Sequence, residues 1–123
     1  MNILKKLSKR ENQVMIVLWN SNIPLSASAI KSSIDEDVSI YTIQQVLQRL
    51  LKKDYIKVSG IVQHEKALMR EYIANFSQTE YIESFINQKT YFELASNFIK
   101  ESDDITAILE LERQIKEKLK EEQ

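Results

Sequence analysis

One glycine and one proline in 123 residues leave this chain almost without the residues that open tight turns and break regular structure. Strand-rich folds and long loops draw on both repeatedly, so helix must dominate and polar residues must make the connections. A chain of this length forms one typical domain, or a small domain joined to an oligomerisation element. The absence of cysteine excludes disulfides, thiolate metal sites and cysteine nucleophiles. His64 is the single histidine, and one imidazole in a polar stretch reads as a solvated or turn residue, because zinc needs several converging ligands. No metal and no cofactor is expected.

The segment Ser39 to Lys53, SIYTIQQVLQRLLKK, has the strongest helical period. Ile43, Val46, Leu47, Leu50 and Leu51 recur at the spacing that lines one side of an α-helix and must be buried. Tyr41, Gln44, Gln45 and Gln48 then point outwards. A solvated helix face usually carries Glu and Lys, whereas neutral amides pair bidentately with the adenine edge in the DNA major groove. The bland alternative is that glutamine is merely a good helix former on a wet surface.

Upstream, Ser8-Lys9-Arg10-Glu11 has the spacing of a capping box, which starts a helix at Ser8. Val14, Met15, Leu18 and Trp19 give that helix an apolar stripe, and Asn20-Ser21-Asn22 with Pro24 ends it. Ser26 caps a short second helix, SASAIKSSI, whose Ala29, Ile30 and Ile34 can bury against the first. Asp35-Glu36-Asp37 breaks the pattern, and Ser39 caps the third helix. After Lys53 the period switches to alternation through Asp54-Tyr55-Ile56-Lys57-Val58 and on through Ile61 and Val62. Gln63-His64-Glu65-Lys66 reads as a polar turn, and Ala67 to Ile73 as a returning strand. Three helices followed by a hairpin predict a winged helix-turn-helix with a two-stranded wing over residues 1–76, its third helix entering the major groove.

Residues 77–123 turn helical again. Tyr81, Ile82, Phe85, Ile86, Phe92, Ala95, Phe98 and Ile99 form an apolar band too wide for a lone surface helix. Ser102-Asp103-Asp104 restarts the chain, and Ile105, Ile108, Leu109, Leu111, Ile115 and Leu119 make a second stripe. Two such helices cannot cover both stripes alone, which predicts a C-terminal helical dimerisation domain closed by a two-fold copy. Folding back onto the N-terminal domain is the alternative. Charge divides at the same place: eleven basic residues against seven acids give +4 over residues 1–76, and six against eleven give −5 over 77–123. Phosphate binding needs a local positive face rather than a basic whole, so double-stranded DNA is a reasonable partner for the first half.

These segments resemble the penicillinase-repressor family of winged-helix repressors over nearly the whole chain. The likeness rests on LSKRENQVMIVLW in the first helix, SIYTIQQVLQRLLKKDYI in the third, and REYIANFSQTEY where the wing enters the next helix. It implies a dimeric repressor binding inverted repeats, with Tyr41, Thr42, Gln44, Gln45 and Gln48 facing base edges or adjoining phosphates. It further implies that Ser8, Ser26, Ser28, Arg49, Lys66 and Arg70 anchor the DNA backbone. Dimerisation would fall to Phe85, Phe92, Phe98, Ile105, Ile108, Leu111, Ile115 and Leu119. The sequence departs from the family where a lysine before the helix threonine is Tyr41, where a basic or polar position is Gln44, and where the glycine after Lys-Lys is Asp54, so the resemblance carries over the binding mode and not the operator sequence. Members controlled by a membrane-bound β-lactam sensor are cut at an Asn-Phe bond, and Asn97-Phe98 stands in the matching place; as a core aromatic, Phe98 is also explained by its spacing from Phe92 and Ala95. Control by copper thiolates, found in another branch, is excluded by the lack of cysteine.

The carboxylates lie on charged helical faces, the serines are explained as caps, and no glycine loop can cradle phosphate, so no enzymatic activity is expected. MNILKKLSKR lacks an apolar run of signal-peptide length and no stretch approaches a membrane span, which predicts a cytoplasmic protein without direct membrane insertion. Besides a repressor, two other classes fit these features: a winged-helix module that grips protein, and a regulator with a ligand pocket among Tyr81, Phe85, Tyr91 and Phe92.

Overall fold

The computed structural model describes residues 4–123; the first three residues of the N-terminal MNILKKLSKR segment lie outside the described residues. The elements run α1 (Lys9–Trp19), β1 (Leu25–Ser26), α2 (Ala27–Ser32), α3 (Ile40–Lys52), β2 (Ile56–His64), β3 (Ala67–Ala74), α4 (Gln78–Glu83), α5 (Gln88–Glu101) and α6 (Ile105–Glu121). Each expected start in the first half is made by the expected residue. Ser8, Ser26 and Ser39 accept from the backbone N–H of Glu11, Ala29 and Thr42 respectively, which satisfies amides that the first turn of a helix leaves without partners. The helices and the antiparallel hairpin of β2 and β3 form the winged helix-turn-helix.

The core of this unit is built from one stripe of each element. Val14, Met15, Ile30, Ile43, Val46 and Leu50 are fully buried, joined by Leu47, Ile56 and Tyr72 from the third helix and the sheet. Removing such side chains from water contributes about 1.5–3 kcal/mol each. Trp19 and Leu51 sit at the edge of this cluster, partly buried.

The sheet departs from the expected two strands. Its order is β1-β3-β2, because Leu25 and Ser26 pair with Tyr72 and Glu71 along the free edge of β3. Two residues are too few to show an alternating pattern, so nothing in the sequence marks β1. At the other end of α3, Asp54 takes the left-handed conformation (φ 61°) that ends the helix and admits Tyr55 to the core; a residue with a short polar side chain tolerates it.

Glu11 ties α1 to the end of α3. Its side chain is buried, yet the Lys53 ammonium donates to Oε2 at 2.8 Å and the Ser8 N–H donates to Oε1 at 2.9 Å. Burial pushes this carboxyl upward, but the bonds from Lys53 and from the Ser8 amide and hydroxyl, with the charge of Lys53, more than offset it and hold the group below the ordinary glutamate range. A depressed carboxyl stabilises the fold above its unfolded pKa, and that contribution is lost as pH falls through the folded value. Glu11→Gln is therefore expected to cost about 1–2 kcal/mol at neutral pH. The gap from wild type should narrow below about pH 4, which urea denaturation at pH 7 and pH 3 would measure.

The second half differs from the expected pair of helices. The apolar band from Tyr81 to Ile99 is divided between α4 and α5, because Ser84 closes α4 with its hydroxyl on the Tyr81 carbonyl and Asn87 caps α5 by accepting from the Thr90 N–H. A second capping box, Ser77 with Glu80, starts α4. The first compact unit consequently runs through Phe85, and the second from Ile86 to Gln123. Aromatic contacts explain why α4 stands with the first unit rather than beyond a boundary at residue 76. Tyr81 packs on Trp19 and Phe76 and meets Phe85 edge-on at 4.9 Å, while its hydroxyl accepts from the Leu7 N–H. In the second unit α5 and α6 contain no buried residue. Among the described residues no helix is long and apolar enough to cross a membrane.

Candidate nucleic-acid interface

The third helix meets the two requirements of a reading element: it is held rigidly, and its outer ridge is free. Ile43, Val46, Leu47 and Leu50 fix one side in the core, and at 3.6 residues per turn the opposite side presents Tyr41, Gln44, Gln45 and Gln48, all exposed. None of the three glutamine amides makes a hydrogen bond among the described residues. Each can thus offer a donor and an acceptor side by side, the pairing that matches an adenine edge. Thr42 is half-buried and its hydroxyl shares a hydrogen bond with Ser39 at 3.0 Å, so it steadies the first turn as well as flanking the ridge. Arg49 is exposed beside Gln48. Lys52, one turn beyond Gln48 on the same face, is a further exposed cation; that i, i+4 spacing was visible in the sequence and adds it to the candidate set.

The remaining anchoring candidates separate. Ser28 is exposed on α2, and Lys66 and Arg70 are exposed on the β2–β3 hairpin. Ser8 is exposed but its hydroxyl caps α1. Ser26 is buried and its hydroxyl accepts from the Ala29 N–H as the cap of α2. In the turn before α3, Glu36, which the sequence marks only as part of the acidic break Asp35-Glu36-Asp37, gains partners from α1. Glu36 accepts from Arg10 at 3.2 Å and from Gln13 at 3.1 Å, with Lys9 at 3.8 Å. The charge of Lys9, the Gln13 hydrogen bond and Arg10 hold its carboxyl below the usual range. These exposed contacts join the loop after α2 to the first turns of α1.

Of the residues expected to join subunits, Phe85 lies in the first unit against Tyr81. Phe92, Phe98, Ile105, Ile115 and Leu119 are exposed on α5 and α6, with Phe92 70% accessible, and Ile108 and Leu111 are half-buried. Asn97 and Phe98 lie inside α5, both exposed. Among the described residues no three His, Asp or Glu side chains converge to hold a metal ion.

No curated protein matches this chain significantly. A solved structure of the ferric uptake regulator Fur from Helicobacter pylori, described as having three functional metal-binding sites, matches at 27% identity with a TM-score of 0.45. The match covers 57% of this chain and 47% of that one, so the chain spans about half the length of that regulator. Residues 7–117, nearly the entire chain, match the family model for the penicillinase repressor, and the chain belongs to the penicillinase repressor family.

Proposed function

We propose that the protein is a dimeric transcriptional repressor that binds double-stranded DNA at inverted repeats, with α3 in the major groove and the wing along the flanking backbone. The observation that carries this reading is the row of three free amides on a helix whose other side is locked into a core. Arg49, Lys52, Lys66 and Arg70 supply phosphate contacts, hence most of the affinity and its dependence on salt, while the glutamines and Thr42 supply discrimination between bases. Occupation of a promoter by this complex blocks polymerase.

The exposed apolar faces of α5 and α6 support a two-fold partner, since contiguous apolar surface of that kind is rarely left wet. Release follows from losing that partner. In this reading a membrane sensor pathway leads to cleavage at Asn97-Phe98, which severs α6 and the end of α5 from the DNA-binding unit and derepresses β-lactam resistance genes. Gel-shift and footprinting with fragmented genomic DNA test the proposal. Two protected half-sites about one helical turn apart are expected, with affinity falling steeply as salt rises. Equal binding to scrambled duplexes overturns it.

A further inference from the structure

The wing carries a surface that the α3 ridge leaves unused. Among the described residues β1 pairs only with Tyr72 and Glu71, so from Arg70 out to the turn the sheet is two strands wide, and the side chains on both strands there are exposed or half-buried. Alternate residues of a strand share a face, which groups Tyr72, Arg70 and Leu68 on β3 with their cross-strand partners Val58, Ile61 and Gln63 on β2. At the base this face is the one that carries Tyr72 into the core. Further out it carries Ile61, 61% accessible, and Leu68, 75% accessible.

A register shift between Val58 and Gly60 decides which side chains continue that face. An unbroken strand would have continued it with Gly60 and Val62. The bulge inserts one residue and turns Ile61 and Gln63 onto it instead, the re-aiming that such irregularities perform. Ile61 lies across from Arg70 and diagonal to Leu68, close enough for the two apolar side chains to make one wedge. The charged side chain on this face beyond Tyr72 is Arg70, with Lys66 in the turn beside Glu65; Glu71 belongs to the opposite face. An apolar wedge beside a cation, on a ribbon two strands wide, is complementary to a narrow anionic groove walled by sugars and floored by base edges.

From this geometry we propose that the wing inserts Leu68, backed by Ile61, into the DNA minor groove next to the segment read by α3, with Arg70 and Lys66 on the bordering phosphates. The inference rests on the DNA-binding reading above and adds a second source of selectivity. A wedge of this type favours base steps that unstack easily, so the operator is chosen partly at positions that receive no hydrogen bond.

The test uses a duplex selected by the full-length wild-type protein from fragmented genomic DNA, with 2-aminopurine placed at successive steps outside the α3 footprint. Wild-type binding should raise fluorescence at one step in each half-site. Leu68→Thr, which keeps strand propensity and removes the wedge, should abolish that rise, weaken binding about tenfold, and erase preference between TA and GC at that step. A wild-type complex without enhancement at any position overturns the wedge, and so does a Leu68→Thr protein with wild-type fluorescence and affinity. Either result leaves the repressor reading intact as long as substitution of the α3 glutamines still destroys selective binding. Failure of wild-type protein to select any duplex would instead remove the DNA-binding reading itself.

Discussion

Replacing Gln44, Gln45 and Gln48 together by alanine is expected to erase discrimination between the selected operator and a scrambled duplex while leaving the fold and the non-specific affinity in place. The three side chains are exposed and bond to nothing among the described residues, and alanine is the best helix former, so the melting transition should stay at or slightly above that of wild type. A well-formed bidentate contact contributes about 1–3 kcal/mol of discrimination. Loss of even two such contacts per subunit corresponds to at least about a hundredfold drop in the specific-to-scrambled ratio. Glutamine carries no charge, so the slope of affinity against salt should not change. Arg49→Ala and Lys52→Ala make the opposite pattern: both duplexes weaken together, and the salt slope falls by about one for each phosphate that a subunit no longer neutralises. Titration of both duplexes at several salt concentrations separates these effects. An unchanged ratio in the triple variant would show that the α3 ridge is an ordinary solvated face.

What the sequence made legible and what it hid divide along a physical line. Ser8, Ser26 and Ser39 are local signals, in which a side chain bonds to a backbone amide three residues on, and a one-dimensional pattern contains everything needed to place them. The same holds for the stripe of α3, which alone fixes which residues face outwards. Features closed by distant partners were not visible. β1 exists only because Tyr72 and Glu71 offer an edge to Leu25 and Ser26, and Glu36 has meaning only once α1 brings Lys9, Arg10 and Gln13 around it. The division of the apolar band between α4 and α5 is an intermediate case. Ser77-Gln78-Thr79-Glu80 is a capping box and Asn87 a good cap, both readable, but the apolar pairs Tyr81-Ile82, Phe85-Ile86 and Tyr91-Phe92 read as one band and masked the polar break at Asn87 to Thr90. Ser26 carries both kinds of signal: its capping of α2 is a local pattern and is seen, with its hydroxyl accepting from the Ala29 N–H, whereas a contact to DNA rests on the resemblance alone.

A charge placed on the exposed stripe of α6 tests the other half of the proposal. Ile115 is about half accessible in the single chain, and together with Leu111, Leu119, Gln114 and Lys118 it lines a shallow, largely apolar depression on that helix. If a second copy covers this surface, a substitution there appears twice in a two-fold interface and buries two carboxylates without partners. Ile115→Glu is then expected to shift sedimentation from dimer to monomer at micromolar concentration. The first unit should be unaffected, because its buried cluster is drawn entirely from residues of that unit. Affinity for the two-half-site operator should fall by about a hundredfold or more, since joining two readers raises the effective concentration of the second by a factor of that order, whereas affinity for a single half-site should hardly change. That contrast distinguishes a missing partner from a damaged reader. Glu is also a better helix former than Ile, so α6 itself should persist by circular dichroism. A variant that remains dimeric would move the interface off this stripe, and a monomer that binds the full operator as tightly as wild type would disconnect dimerisation from repression.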